Sequence, residues 1–157
     1  MFDRLTRHSC RALDLAREEA QLARANLIGA EHLLLAFLAS DCGALRALRI
    51  VRVDIDRLRA DVRATLCGAR SHVAAPERFP PFTDELANAF EFAIEFAGEQ
   101  TGILIATEHM LMGMTGHGTS AIAALLLRHG VNLDRVRNAT RSLPGPEGAH
   151  HGFSSAE

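Results

Sequence analysis

The sequence predicts an all-α fold in which a four-helix unit occurs twice, giving about eight helices in one compact domain with pseudo-twofold symmetry. Three observations predict this fold. Glu-His opens an apolar run twice, as IGAEHLLLAF from Ile28 and as IATEHMLMGM from Ile105. The sequence aligns with itself at a shift of 77 residues. In each half, alanines and larger apolar residues recur at the spacing of a buried helix face.

The internal alignment runs through most of both halves. After one inserted residue, VDIDRLR at Val53 continues the match against VNLDRVR at Val131. Most matches fall at apolar or helix-starting positions, where a shared fold would place them. The matched pairs include Phe2 with Phe79, Thr6 with Thr83, Ala12 with Ala89, Ala16 with Ala93, Glu31 with Glu108, His32 with His109, and Leu48 with Leu125.

The first helix of each half is expected to start after Thr6 and after Thr83. A threonine hydroxyl accepts a hydrogen bond from the free amides of a first helical turn, which makes both residues good N-caps. The second helix, about 31–40 and 108–115, is apolar on nearly all sides and is therefore expected to be central and buried. The methionines in its second copy are interpreted as core residues.

A short third helix is expected near 44–50 and 121–129, and a fourth starts near Asp54 and Asn132, whose side chains suit N-caps. Glycine and proline mark a linker after the first half. These boundaries predict one domain over 1–144, with repeat one at 1–68, a linker at 69–77 and repeat two at 78–144. The Gly-, Pro- and Ser-rich tail 145–157 is predicted to be disordered.

Composition excludes several function classes. The net charge of -2 does not favour nucleic-acid binding. All 17 basic residues are arginine, so a Walker phosphate loop, which needs a lysine, is ruled out. No stretch reaches the roughly 18 apolar residues of a membrane span. Neither a metal site nor a cofactor is predicted, and the three separated cysteines indicate no disulfide framework.

The two capped helices, the two Glu-His helix starts and the two VDIDRLR-like segments resemble the Clp N-terminal domain family, or double Clp repeat. The likeness covers about 1–144 and is greatest to the N-domain of ClpC-type AAA+ unfoldases. In that family the domain precedes ATPase modules. This sequence contains no such module, so we expect a free-standing N-domain without them. The separated cysteines, expected to be reduced, favour a cytoplasmic protein. The resemblance implies a non-enzymatic binding module whose partners are Clp unfoldase or protease components, adaptors and substrate proteins.

The resemblance also implies ligand sites. In ClpC-type N-domains, a glutamate of the Glu-His motif holds the guanidinium of phosphoarginine, the degradation mark, and a helix start holds its phosphate. Here Glu31 and Glu108 match the guanidinium positions, and Thr6, Arg7, Arg11 and Thr83 match the helix starts. Phe2, Phe79 and Phe82 match the apolar surface on which toxic cyclic peptides dock. Phe82 has an alternative role, packing against its own helix.

The two sites are not expected to be equal. Arg7 and Arg11 surround the first helix start, whereas Asp84 and Glu85 occupy the second, where the family usually has Pro-Arg. Two acidic residues would repel a phosphate carrying about two negative charges. We therefore expect the site of the first half, with Glu31, to be the competent one. His32 and His109 are interpreted as structural residues because no nucleophile or relay partner accompanies them.

Three functions remain open at this stage. The first is a decoy or modulator that competes with the full unfoldase for ligands, adaptors or cyclic peptides. The second is an adaptor that docks on the unfoldase and presents substrates. The third, an enzyme using Glu31 and Glu108 as an acid-base pair, is disfavoured because the two residues lie in separate halves.

Overall fold

The architecture, taken from a computed structural model, contains eight α-helices among the residues that the structure describes, 2–68, 80–100, 104–116 and 120–144. A 3-10 turn at Phe2–Arg4 precedes them. Repeat one contributes α1 (Arg7–Leu22), α2 (Ala30–Ala39), α3 (Gly43–Ile50) and α4 (Ile55–Gly68). Repeat two contributes α5 (Asp84–Gln100), α6 (Thr107–Gly116), α7 (Ala121–Arg128) and α8 (Leu133–Arg141). The predicted fold class is confirmed. The predicted linker 69–77 and tail 145–157 lie outside the described residues.

The second helix of each repeat lies at the centre, as its composition predicts. Buried positions run through both α2 and α6, including Phe37 at 0% exposure and Leu111 at 0%. These two helices contact each other, and each also packs on the first helix of its own repeat. The methionines of α6 lie in the core, which confirms their interpretation as packing residues: Met110, Met112 and Met114.

Small residues let the first and second helices of a repeat approach closely. Ala16 and Ala93 are both 0% exposed. On α6, a Cβ atom added at Gly113 would lie 2.1 Å from the carbonyl oxygen of Ala89 on α5. Only glycine fits such an approach, so the alanine-rich pattern of the first helices does correspond to close packing.

The other predicted helix starts also appear. Asp54 Oδ1 accepts from the Arg57 amide at 3.0 Å, and Asn132 Oδ1 accepts from the Arg135 amide at 2.9 Å. Both residues are thus the N-caps that the sequence indicated. No single helix among the described residues is long and apolar enough to cross a membrane. α6 and α7 satisfy length and composition only together, as a pair bent by 99°.

Candidate functional site

Both threonines at the predicted first-helix starts are N-caps. Thr6 Oγ1 accepts from the Ser9 amide at 3.2 Å, and Thr83 Oγ1 accepts from the Leu86 amide at 3.2 Å. Thr6 is only 3% exposed, and its hydroxyl also lies 2.9 Å from the Ser9 hydroxyl. The Thr6 hydroxyl is therefore already satisfied inside the fold.

Each first-helix start lies beside the second-helix start of the opposite repeat. A parallel bridge pairs Leu5 with Ile105, and the Thr6 amide donates to the Ile105 carbonyl at 3.0 Å. A second parallel bridge pairs Ile28 with Phe82, and the Thr83 amide donates to the Ile28 carbonyl at 2.9 Å. We name these places the Glu108 junction (4–11 with 105–108) and the Glu31 junction (28–31 with 81–85).

This crossing corrects the expectation that one site is drawn from one repeat. Glu31 was expected to act with the basic helix start of its own half. Instead, the main chain just before α2 is joined to the main chain just before α5, whose first turn carries Asp84 and Glu85. The start with Arg7 and Arg11 is joined to the segment that precedes Glu108. The shift of 77 residues showed that the repeats match but carried no information on which ends meet.

At the Glu31 junction, the glutamate side chain is 27% exposed. Its carboxylate turns back over the start of its own helix, since a Cβ atom added at Gly29 would lie 2.4 Å from either oxygen. Asp84 is exposed at the start of α5, and Glu85 is half-buried with Oε1 buried and lacking a hydrogen-bond partner among the described residues. The junction is thus acidic on both of its helix starts.

At the Glu108 junction, the glutamate is 7% exposed and supports another helix. Its carboxylate lies against the first residue of α3, where a Cβ atom added at Gly43 would be 2.0 Å from Oε2. The neighbouring Thr107 Oγ1 accepts from the Ala44 amide at 3.0 Å and donates to Glu108 Oε2 at 3.4 Å. Cys42, the N-cap of α3, makes no side-chain cap bond, so repeat two caps this helix of repeat one.

This capping across the repeats was not predicted from the sequence. In the other half, Ser120 caps α7 locally by accepting from the Ala123 amide at 2.9 Å. Ala30 is the counterpart of Thr107 in repeat one, and its side chain has no hydroxyl with which to cap a helix. The one available signal was Cys42, a poor N-cap before a helix that needs one.

The two arginines predicted to bind an anion in the first half are on the surface. Arg7 and Arg11 are both exposed on the first turns of α1. They lie at the Glu108 junction, whose glutamate is buried. At the Glu31 junction the glutamate is more accessible, but the first turn of α5 there carries two acidic residues. Neither junction therefore combines an accessible carboxylate with a basic helix start.

The Glu-His histidines have the structural role that was predicted for them. His32 Nδ1 accepts from the Gly29 amide, and His109 Nδ1 accepts from the Ala106 amide, each at 2.9 Å. Burial lowers the pKa of His109 to about 4. Burial also lowers the pKa of His32, although the carboxylates of Glu31 and Glu19 act against that shift. Both rings therefore serve as neutral caps of helix starts at neutral pH.

Phe82 packs partly against its own helix. Its ring centroid is 5.3 Å from that of Phe90, with the planes tilted by 51°. It is half-buried and therefore keeps some surface at the Glu31 junction. Phe2 lies in the 3-10 turn before the Glu108 junction, and Phe79 lies outside the described residues.

Comparison with known proteins decides the family. The model of the Clp repeat (R) N-terminal domain matches the chain twice, at 4–78 and 81–148. The chain belongs to the Clp repeat N-terminal domain family. Among curated relatives, the ATP-dependent Clp protease ATP-binding subunit ClpA homologue of Cyanidium caldarium is 32% identical over 139 residues, which is 88% of this chain. Chloroplastic ClpC1 of rice is 27% identical over 146 residues, or 92% of this chain. The chain spans 16% of the length of each of these relatives.

Solved structures of the same fold include other N-domains. The N-terminal domain of Arabidopsis ClpD has a TM-score of 0.68 and 24% identity, covering 90% of this chain and 94% of its own. The Hsp104 N-terminal domain of Candida albicans has a TM-score of 0.75 and 16% identity, covering 90% and 91%. A ClpV N-domain solved in complex with a VipB peptide has a TM-score of 0.67 and 15% identity, covering 85% and 82%.

The two repeats of this Clp N-domain differ in charge at the two junctions. The Glu31 junction presents carboxylates and suits a cationic group. The Glu108 junction presents arginines and suits an anionic one. In the described part of the chain, no group of three histidine, cysteine or acidic side chains is placed to hold a metal ion.

Proposed function

We propose that this Clp N-domain is a non-enzymatic binding module that captures partner polypeptides for a Clp unfoldase. The observation that carries the proposal is the Glu31 junction, where a carboxylate with 27% exposure lies at the start of α2, three residues after the bridge that pairs Ile28 with the half-buried Phe82. The ClpV N-domain, which has the same fold, is known in complex with a peptide. Glu31 and Glu108 do not form an acid-base pair, because they belong to different junctions and Glu108 is buried.

The charge of the Glu31 junction favours a cationic side chain of the partner. A guanidinium forms paired hydrogen bonds with a carboxylate, and each charge-assisted bond is worth about 1.5–3 kcal/mol. Asp84 and Glu85 add negative potential at the place where phosphoarginine would carry its phosphate. We therefore propose that this junction prefers unmodified arginine to phosphoarginine, in contrast to what the family resemblance implies.

The Glu108 junction is the second candidate for phosphoarginine. Arg7 and Arg11 are exposed there and suit a phosphate. The guanidinium, however, needs Glu108, whose carboxylate lies against Gly43 at the start of α3. Binding at this junction would therefore remove a stabilising contact between the repeats, which lowers the expected affinity.

The role within the Clp system follows from which ligand binds. The isolated 157-residue chain would compete with a full-length unfoldase for shared peptides, adaptors or cyclic peptides whenever its dissociation constant is comparable to the ligand concentration. This is a decoy or modulator role in the cytoplasm. The alternative, an adaptor role, requires the chain to bind the unfoldase itself without any such ligand.

A peptide titration tests the binding proposal. An arginine-containing fluorescent peptide is titrated with the wild-type chain and with Glu31→Gln, and its phosphoarginine counterpart serves as the second probe. Glu31→Gln should weaken arginine-peptide binding about tenfold, since one charge-assisted bond is worth at least 1.4 kcal/mol. Glu18→Gln is the matched control. Glu18 is an exposed carboxylate on α1, outside the Glu31 junction, so its replacement should have little effect.

Two results would contradict parts of the proposal. Equal losses for Glu31→Gln and Glu18→Gln would mean that only net charge matters and that the junction is no site. Tighter binding of the phosphoarginine peptide, lost on Arg7→Gln or Glu108→Gln, would move the site to the Glu108 junction and restore the family's ligand.

A further inference from the structure

A charged cavity lies between the two repeats, away from both junctions in sequence. It has a volume of about 330 Å³ and is lined by Asp54, Arg57 and Asp61 of repeat one and by Arg128 and His129 of repeat two. That volume is within the range of small-ligand pockets, which starts at about 300 Å³. All five lining side chains are ionisable, so the cavity suits a charged ligand rather than an apolar one.

Both carboxylates of the cavity already have partners within the fold. Asp54 Oδ1 accepts from the Arg57 amide at 3.0 Å and caps α4. Asp61 Oδ2 accepts from His129 Nε2 at 2.7 Å, which ties α4 to the end of α7. The side chain of His129 is 9% exposed, so this contact forms a fixed wall of the cavity.

The two arginines, in contrast, have no ion-pair partner among the described residues. Arg57 and Arg128 are exposed, and one comes from each repeat. One guanidinium from each repeat thus lines the same cavity, whose two carboxylates are engaged with the Arg57 amide and with His129. The planar guanidinium forks each present paired donors, the geometry that matches phosphate and carboxylate oxygens.

The internal repeat supplies a comparison for this arrangement. Arg135 is the counterpart of Arg57, in VNLDRVR against VDIDRLR. Its guanidinium donates to the Gly130 carbonyl and, at 3.1 Å, to the carbonyl of Val51 at the end of α3. Arg135 thus closes the contact between α8 and α3. At the corresponding contact between α4 and α7, Arg57 makes no such bond and lines the open cavity instead.

We propose that the cavity between α4 and α7 is an oxyanion-binding site in which Arg57 and Arg128 clamp a phosphate or carboxylate group. His129, fixed by its hydrogen bond to Asp61, forms part of the cavity wall. None of these residues belongs to the Glu31 or Glu108 junction, so this site and the proposed peptide-binding function can fail independently. An anion bound here adds a second link between α4 and α7 to the one that Asp61 and His129 already make.

The test is a titration of the ¹⁵N-labelled chain followed by amide and arginine Nε–H signals at constant ionic strength. Inorganic phosphate is one probe and acetate the other, with chloride as the reference salt. Saturable shifts are expected at the start of α4 and the end of α7. Arg57→Gln and Arg128→Gln should each weaken binding at least tenfold, the effect of losing one charge-assisted contact. Arg141→Gln, an exposed arginine at the end of α8, is the control and should leave binding unchanged.

Each outcome decides the proposal. Saturation by phosphate alone supports a site for a phosphorylated ligand, and saturation by acetate as well supports one that also takes carboxylates, including chain ends. Absence of saturation with both probes would overturn the site. Shifts that survive in both arginine variants, or that Arg141→Gln removes equally, would also overturn it, because they place the anion elsewhere. The amide spectra of the variants report in the same experiment that the exposed substitutions leave the fold intact.

Discussion

The hydroxyl of Thr107 gives a direct test of how repeat two supports repeat one. Thr107→Val keeps the shape of the side chain and removes the acceptor of the Ala44 amide, which lies at 3.0 Å. Ala44 is 0% exposed, so water does not replace the lost partner. A buried donor left without an acceptor costs about 1–3 kcal/mol, and the loss of a helix cap falls in the same range.

The assay is urea unfolding followed by circular dichroism, together with hydrogen exchange of the Ala44 amide. We expect the free energy of unfolding to fall by about 1–3 kcal/mol, with roughly 2–4 °C lost in Tm per kcal/mol at this chain length. Exchange at Ala44 should accelerate because the start of α3 opens more often.

Thr65→Val is the matched control for this substitution. Thr65 is exposed, and its hydroxyl donates only to the Asp61 carbonyl of its own helix at 3.1 Å. Its replacement should change the free energy of unfolding by no more than about 0.5 kcal/mol. If Thr107→Val and Thr65→Val cost the same, the capping of α3 across the repeats is not a significant interaction.

Two further predictions concern the same region. Gly43→Ala should destabilise the fold by about 1 kcal/mol or more, because its Cβ atom would lie 2.0 Å from Glu108 Oε2 and would push this buried carboxylate away from the Thr107 hydroxyl; a Cβ atom added at Gly98 meets nothing within 4 Å, so Gly98→Ala should be neutral or stabilising in the same unfolding assay. The pKa of His109 is lowered from 6.5 to about 4 by burial, so the unfolded chain binds a proton that the folded one excludes. The free energy of unfolding should therefore fall as the pH drops from 6.5 to 5. The fall should be steeper in the wild type than in His109→Gln, by up to about 1.4 kcal/mol per pH unit. Equal slopes for the two proteins would refute that contribution, since the lowered pKa of His32 acts in both.

Local signals in the sequence predicted the elements of this fold well. Thr6, Thr83, Asp54 and Asn132 cap the helices that they were expected to cap, because N-capping depends on residues within one turn. The apolar second helices are central because their composition leaves no polar face for solvent.

The assembly of the candidate site could not be predicted in the same way. Glu31 was grouped with the basic helix start of its own repeat, whereas the bridge between Ile28 and Phe82 places it with Asp84 and Glu85. A duplication is compatible with pairing within repeats or between them, and the residue patterns of the two cases are identical. The burial of Glu108 likewise depends on α3 reaching α6, a contact between segments distant in the chain.

The crossed bridges have a consequence for what a single repeat would need in order to fold alone. Each repeat offers backbone donors and acceptors at Leu5, Ile28, Phe82 and Ile105 that the other repeat satisfies. A single ancestral repeat would meet this requirement by associating with a second copy around a twofold axis, as an isologous homodimer does. In a homodimer every substitution appears in both junctions at once. Within one polypeptide the two junctions need not be identical, and here one is acidic while the other carries arginines.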